Sequence, residues 1–164
     1  MANSISSANV SFNFLKGNSD FLNLVLNNIC NAVLLLDNKM NLIAFNDTMK
    51  TLFVNAENEY LLYKKCGNAI GCAHAVKEEA ECTKTSRCNF CDIREAVLIS
   101  YSENKPVYRD MFSREFFNIN NVKVLKYLNF STRLFKFNKD NYIILIIEDI
   151  TETIKLKEKI KKLK

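Results

Sequence analysis

Apolar positions fall into two strand-like blocks separated by a stretch of short helical patterns. The first block reads NAVLLLDNKMNLIAFN: an apolar run, an Asp-Asn-Lys turn and a second apolar run, which predicts a hairpin. Before it, Asp20–Cys30 carries Phe21, Leu22, Val25 and Leu26 at helical spacing behind the cap candidates Ser19 and Asp20, and this helix is expected to cover one edge of the domain. After Asn46 the period turns helical, with Met49, Leu52 and Phe53 on one side, and a further short segment at Glu59–Lys65 bears Leu61 and Leu62. Asp92 with Glu95 three residues on reads as a capping box, and Ile93, Ala96, Val97, Ser100 and Tyr101 share the face of the helix that follows. Beyond Pro106 come three runs rich in β-branched and aromatic residues, Val107–Phe117, Val122–Phe137 and Tyr142–Glu148; Asn138-Lys139-Asp140-Asn141 forms the turn between the last two. The order ββ, short helices, βββ predicts an α+β domain: one five-stranded antiparallel sheet with its helices and connections on one face.

Composition adds limits. A chain of 164 residues with 48% hydrophobic content suits one globular domain, and the Ser- and Asn-rich residues 1–18 read as a flexible leader. No apolar run approaches a membrane span, and the first residues lack the order of a secretory signal, so a soluble, cytoplasmic protein is expected. The net charge of +5 points away from nucleic acid once it is located. Six lysines against two glutamates from Thr151 onward account for +4 of it, on a terminal helical stretch without arginine or interleaved aromatics.

Cysteine changes the picture more than charge does. Four of the six cysteines lie in GCAHAVKEEAECTKTSRCNFCDIR, where Cys72, Cys82, Cys88 and Cys91 are spaced C-x9-C-x5-C-x2-C. Without a secretory signal, clustered thiols read as reduced and available for metal or redox chemistry. Their polar surroundings, with Lys77, Glu78, Glu79, Glu81 and Lys84, argue against four ordinary core thiols. Four thiolates can brace a loop around zinc or hold an iron–sulfur cluster, and the spacing alone does not separate the two. A helix starting at Cys91 would place its positive end beside anionic sulfurs. Cys66, His74 and Arg94 are candidates for groups beside the ligands, whereas Cys30 is expected in the core. Cys88-Asn89-Phe90-Cys91 is followed by Asp92 where covalent haem attachment needs histidine.

The hairpin ending in Asn46 and the close IILIIEDITETIKLKEKI resemble a PAS domain, in its first two strands and in its final strand–DIT–helix junction. The likeness covers about Asp20 to Lys164 and assigns residues 19–150 to the domain, 66–94 to a Cys-rich insertion and 151–164 to the start of a linking helix. The insertion, GNAIGC…C…CNFCDIREAV, is similar to a cysteine-bearing subgroup of bacterial sensory PAS domains thought to bind an iron–sulfur cluster. The resemblance implies a cluster held by Cys72, Cys82, Cys88 and Cys91, 4Fe–4S ahead of 2Fe–2S. It further implies sensing of redox state, oxygen or nitric oxide, with output to an effector such as a histidine kinase. Three other classes stand beside it: a zinc-braced interaction module, a PAS domain binding a small organic ligand or haem, and an enzyme with a cysteine nucleophile. With one histidine, no Ser/His/Asp order and no glycine-rich phosphate loop, no enzymatic activity is expected of these residues. In the terminal helix, Leu156, Ile160 and Leu163 are spaced as a coiled-coil seam, which predicts a parallel homodimer; folding back onto the domain is the alternative.

Overall fold

The computed structural model describes residues 17–53 and 61–163. The predicted leader, apart from Gly17 and Asn18, and the start of the predicted Glu59–Lys65 segment lie outside the described residues.

In order along the chain are helix α1 (Ser19–Asn28), strands β1 (Ala32–Leu36) and β2 (Leu42–Phe45), and helices α2 (Asp47–Leu52), α3 (Cys66–Ala69) and α4 (Ala73–Lys77). A 3₁₀ turn (Cys88–Phe90) leads into helix α5 (Asp92–Glu103), which is followed by β3 (Val107–Phe117), β4 (Lys123–Phe137), β5 (Asp140–Asp149) and helix α6 (Thr151–Lys162). The five strands form one antiparallel sheet, as the pattern predicts, and their order is β2-β1-β5-β4-β3. Among the described residues, no helix is long and apolar enough to cross a membrane.

Alternation decides the core. Ala32, Leu34 and Leu36 of β1, Leu128 and Phe130 of β4, and Ile143, Leu145 and Ile147 of β5 are buried on one face. Helix α5 lies across that face, with Ile93, Ala96, Val97 and Ser100 buried. The two buried hydroxyls are partnered: Ser100 Oγ lies 2.8 Å from Thr132 Oγ1, and the carbonyls of Lys105, 2.7 Å from Ser100 Oγ, and Ala96, 3.1 Å from Thr132 Oγ1, stand ready as the other acceptors for their two protons. Asn104, at φ 52°, ends α5 in the left-handed region.

Three local expectations are corrected. Asp92 does not cap α5: the N-cap is Cys91, and no side chain bonds back to the helix there. The cap of α1 is Asn18, whose Oδ1 accepts from Phe21 N at 2.9 Å, and α1 buries none of its residues; Leu22 and Val25 are exposed. Polar bonds hold its C-terminal end. Asn46 Nδ2 donates to the carbonyls of Leu26 (2.7 Å) and Asn31 (2.9 Å), while its Oδ1 accepts from Val33 N (2.9 Å) and Met49 N (3.3 Å). Cys30, expected in the core, is exposed, because it falls in the bend that carries the chain over the surface from α1 to β1.

At the far end, β5 passes into α6 through a knot of bonds. Asp149 Oδ1 accepts from the Thr151 N–H at 2.9 Å and from its hydroxyl, Thr151 Oγ1 accepts from Tyr127 N at 3.0 Å, and Asp149 Oδ2 pairs with Lys126 Nζ at 2.6 Å. Burial alone would raise the Asp149 carboxyl, but the bonds from Lys126 and Thr151 outweigh it and hold the group below its usual value. A depressed carboxyl stabilises the fold at pH values above its unfolded pKa, and that contribution fades as pH falls through the lower folded value. Asp149→Asn is therefore expected to cost about 1–3 kcal/mol at neutral pH. The gap in melting temperature between the two proteins is expected to close below about pH 4. A gap that stays constant well below that pH would remove the charge from the explanation.

Candidate thiol site

Two glycines shape the way into the site. Gly71, at φ 72°, takes a turn that places its carbonyl 2.8 Å from Phe117 N, and Cys72 forms an antiparallel bridge with Phe116, so the first cysteine is laid against β3. Gly67, in α3, passes so close to Cys82 that a Cβ there would lie 2.6 Å from the Cys82 sulfur. Asn68 fixes this approach: its Oδ1 accepts from Cys82 N at 2.7 Å and its Nδ2 donates to the Ala80 carbonyl at 3.2 Å. The 3₁₀ turn at Cys88–Phe90 then brings Cys88 and Cys91 to the N-terminus of α5.

The result is one pocket lined by all four predicted cysteines and by a fifth, Cys66, together with Thr85 and Arg114. Cys66, Cys72, Cys82 and Cys88 are buried and Cys91 is half-buried. Among the described residues, no aspartate, glutamate or histidine lines it. Burial pushes the Cys82 thiol up to about 11, and burial, reinforced by the neighbouring sulfurs, pushes Cys66 well above the ordinary value. Burial works in the same sense on Cys88, but there the Thr85 hydroxyl at 2.9 Å and the Thr83 N–H at 3.1 Å outweigh it and lower the thiol.

Arg114 is the cation of the pocket, and the sequence pattern did not single it out. Its Nη1 donates to Cys91 Sγ at 3.3 Å, and its guanidinium lies 5.0 Å from the Phe112 ring centroid. It reaches the pocket because of a bulge. Between Arg109 and Phe112 the β3–β4 register shifts, Met111 takes φ 56°, and the residues that follow turn Phe112, Arg114 and Phe116 toward the core side. An arginine alternating with two buried phenylalanines, Phe112-x-Arg114-x-Phe116, is the signal that would have found it.

The other candidates sit outside. Arg94 donates to Asn89 Oδ1 at 2.9 Å and lines an outer crevice with Cys88 and Cys91. His74, on α4, does not line the pocket; partial burial and the charges of Arg114 and Arg87 lower its imidazole from the usual value. Among the described residues, no three His, Cys, Asp or Glu side chains are gathered as a single metal ion would need them. An iron–sulfur centre fits the donors in kind: five sulfurs, no carboxylate or imidazole among the described lining residues, and a cation facing them.

No protein-family model matches the sequence, and no curated protein matches it. Solved structures do. The chain is similar to the PAS domain of nitrogen regulation protein NR(II) from Vibrio parahaemolyticus, with 10% identity, 79% of this chain and 97% of that one covered, and a TM-score of 0.57. A PAS domain from a two-component sensor histidine kinase gives 12% identity, 82% and 97% coverage and a TM-score of 0.56. The PAS domain of Bordetella pertussis BvgS gives 16%, 89% and 96%, and 0.51. On these comparisons the chain, with its five-stranded antiparallel sheet, has the fold of a PAS domain.

Proposed function

We propose that this is a sensory PAS domain whose pocket holds an iron–sulfur cluster through Cys72, Cys82, Cys88 and Cys91, and that the cluster's state is passed to an effector through α6. The observation that carries the reading is the pocket itself: five thiols and one guanidinium on the core side of the sheet, without a carboxylate or imidazole among its described lining residues. Bound there, a cluster would supply one-electron redox chemistry and reactivity toward oxygen or nitric oxide. The protein's part is to supply soft ligands, to limit solvent at the buried sulfurs, and to offset the site's charge with Arg114.

A route toward output runs along the same face of the sheet. Arg114 pairs in register with Lys126 on β4, Lys126 is ion-paired to Asp149, and Asp149 binds the first residue of α6. On that helix Leu156, Ile160 and Leu163 are exposed, which supports the parallel homodimer over a helix folded back on its own domain. An effector such as a histidine kinase agrees with the sensor origin of a similar structure.

Anaerobic purification tests the cluster directly. The expected result is a brown protein with iron and acid-labile sulfide in comparable amounts, bleached by air. A colourless protein carrying stoichiometric zinc would replace this reading with a zinc-braced module.

A further inference from the structure

Arg114 presents an electrostatic imbalance. Its side chain is half-buried against the Phe112 ring, and among the described residues it forms no ion pair with a carboxylate. A cation drawn out of water is costly unless an anion faces it. What faces it is sulfur: Cys91 Sγ accepts from Nη1 at 3.3 Å, and Cys72 shares the pocket. Neutral thiols are poor partners for a guanidinium. Four thiolates around an iron–sulfur core are good ones, because together they carry more negative charge than the core offsets. The ring of Phe112 holds the guanidinium plane in place, so the charge is fixed in direction as well as in position.

We propose that Arg114 is the counter-charge of the cluster site, a positioning residue that donates to the Cys91 sulfur and tunes both how tightly the cluster is held and the potential at which it is reduced. The proposal rests on the cluster reading above. Reduction adds negative charge beside the guanidinium, so Arg114 favours the reduced form and raises the potential; its removal lowers it. The guanidinium also disfavours the metal-free protein, in which the same cation faces neutral thiols. Loss of Arg114 is therefore expected to act in opposite directions on the two forms.

The test compares the full chain, purified anaerobically, with Arg114→Lys, Arg114→Gln and Arg114→Met. Iron per chain, iron loss to a chelator, midpoint potential, and the melting temperature of the chelator-stripped, reduced protein are measured. Gln and Met are expected to weaken iron retention by about 10–100-fold and to lower the potential of what remains. Lys is expected to recover part of the potential, since it keeps the charge without the planar fork. Stripped Arg114→Met is expected to melt no lower than the stripped parent. Wild-type protein without iron would overturn the cluster reading and this proposal with it. Iron-loaded wild type with unchanged retention and potential in Gln and Met would overturn the role of Arg114 alone. So would a stripped Met variant that melts well below the stripped parent while Lys behaves like Gln, because the side chain would then be serving the fold.

Discussion

Serine at any one of Cys72, Cys82, Cys88 or Cys91 is expected to remove most of the bound iron and the visible absorption with it. Serine keeps the size of cysteine but lacks the soft thiolate that iron in a cluster requires. The four positions come from separate pieces of local structure: the bridge to β3, the contact with Gly67, the 3₁₀ turn and the N-cap of α5. No single replacement can therefore be made good by its neighbour in sequence. Cys66→Ser is expected to leave iron largely in place, because Cys66 is the most enclosed of the five, 1% exposed against 8–9% for Cys72, Cys82 and Cys88. Cys30→Ser serves as the silent control, since Cys30 is exposed and does not line the pocket. Iron content and the absorption spectrum of the six single variants give the answer. Iron abolished by Cys66→Ser and retained by Cys72→Ser would overturn the assignment of ligands.

Gly67→Ala is expected to damage the site more than the fold. In an ordinary helix this change is favourable by about 0.5–1 kcal/mol, because glycine loses more freedom on folding. Here the new methyl carbon would stand 2.6 Å from Cys82 Sγ, 2.9 Å from Cys82 Cβ and 3.5 Å from Cys72 Cβ. Cys82 cannot simply step back, since its backbone N–H is held by Asn68 at 2.7 Å. Overpacking of this kind costs about 1–3 kcal/mol and reverses the sign expected from propensity. The strain falls on the contact between two cysteine-bearing segments, so iron retention is expected to fall further than thermal stability. Paired measurements of melting temperature and iron content decide the matter, and a higher melting temperature with full iron would show that the close approach does not constrain the pocket.

The sheet was legible because β-branched and aromatic runs of strand length have few alternatives, and β3 carries the bounds read from its pattern, Val107–Phe117. The buried face of α5 followed from its period in the same way. The cysteines could be grouped by spacing but not placed, because α3 and α4 are only four and five residues long and leave no periodic trace. Cys66 joined the pocket for that reason: it begins α3, and the chain returns to it through the turn at Gly71. Arg114 was hidden by a shift of one residue. Counting alternation from Val107 sends position 114 to the outer face, and the Met111 bulge reverses it. Asp92 misled because an acidic residue at the first helical position looks, in sequence, the same as one at the cap.

The middle of the sheet joins strands far apart in sequence: Ala32 of β1 lies opposite Ile147 of β5, 115 positions later. Closing so long a loop is entropically costly before any contact rewards it, so folding waits on the last strand and belongs with the slower non-local topologies. During synthesis all five thiols of the pocket leave the ribosome before β5 does, and the core that will enclose them cannot yet form. Their survival through that interval depends on a reducing environment. An oxidant met while the chain is still being made would therefore find all five cysteines unprotected, whereas the finished domain buries Cys66, Cys72, Cys82 and Cys88 and leaves Cys91 half-buried.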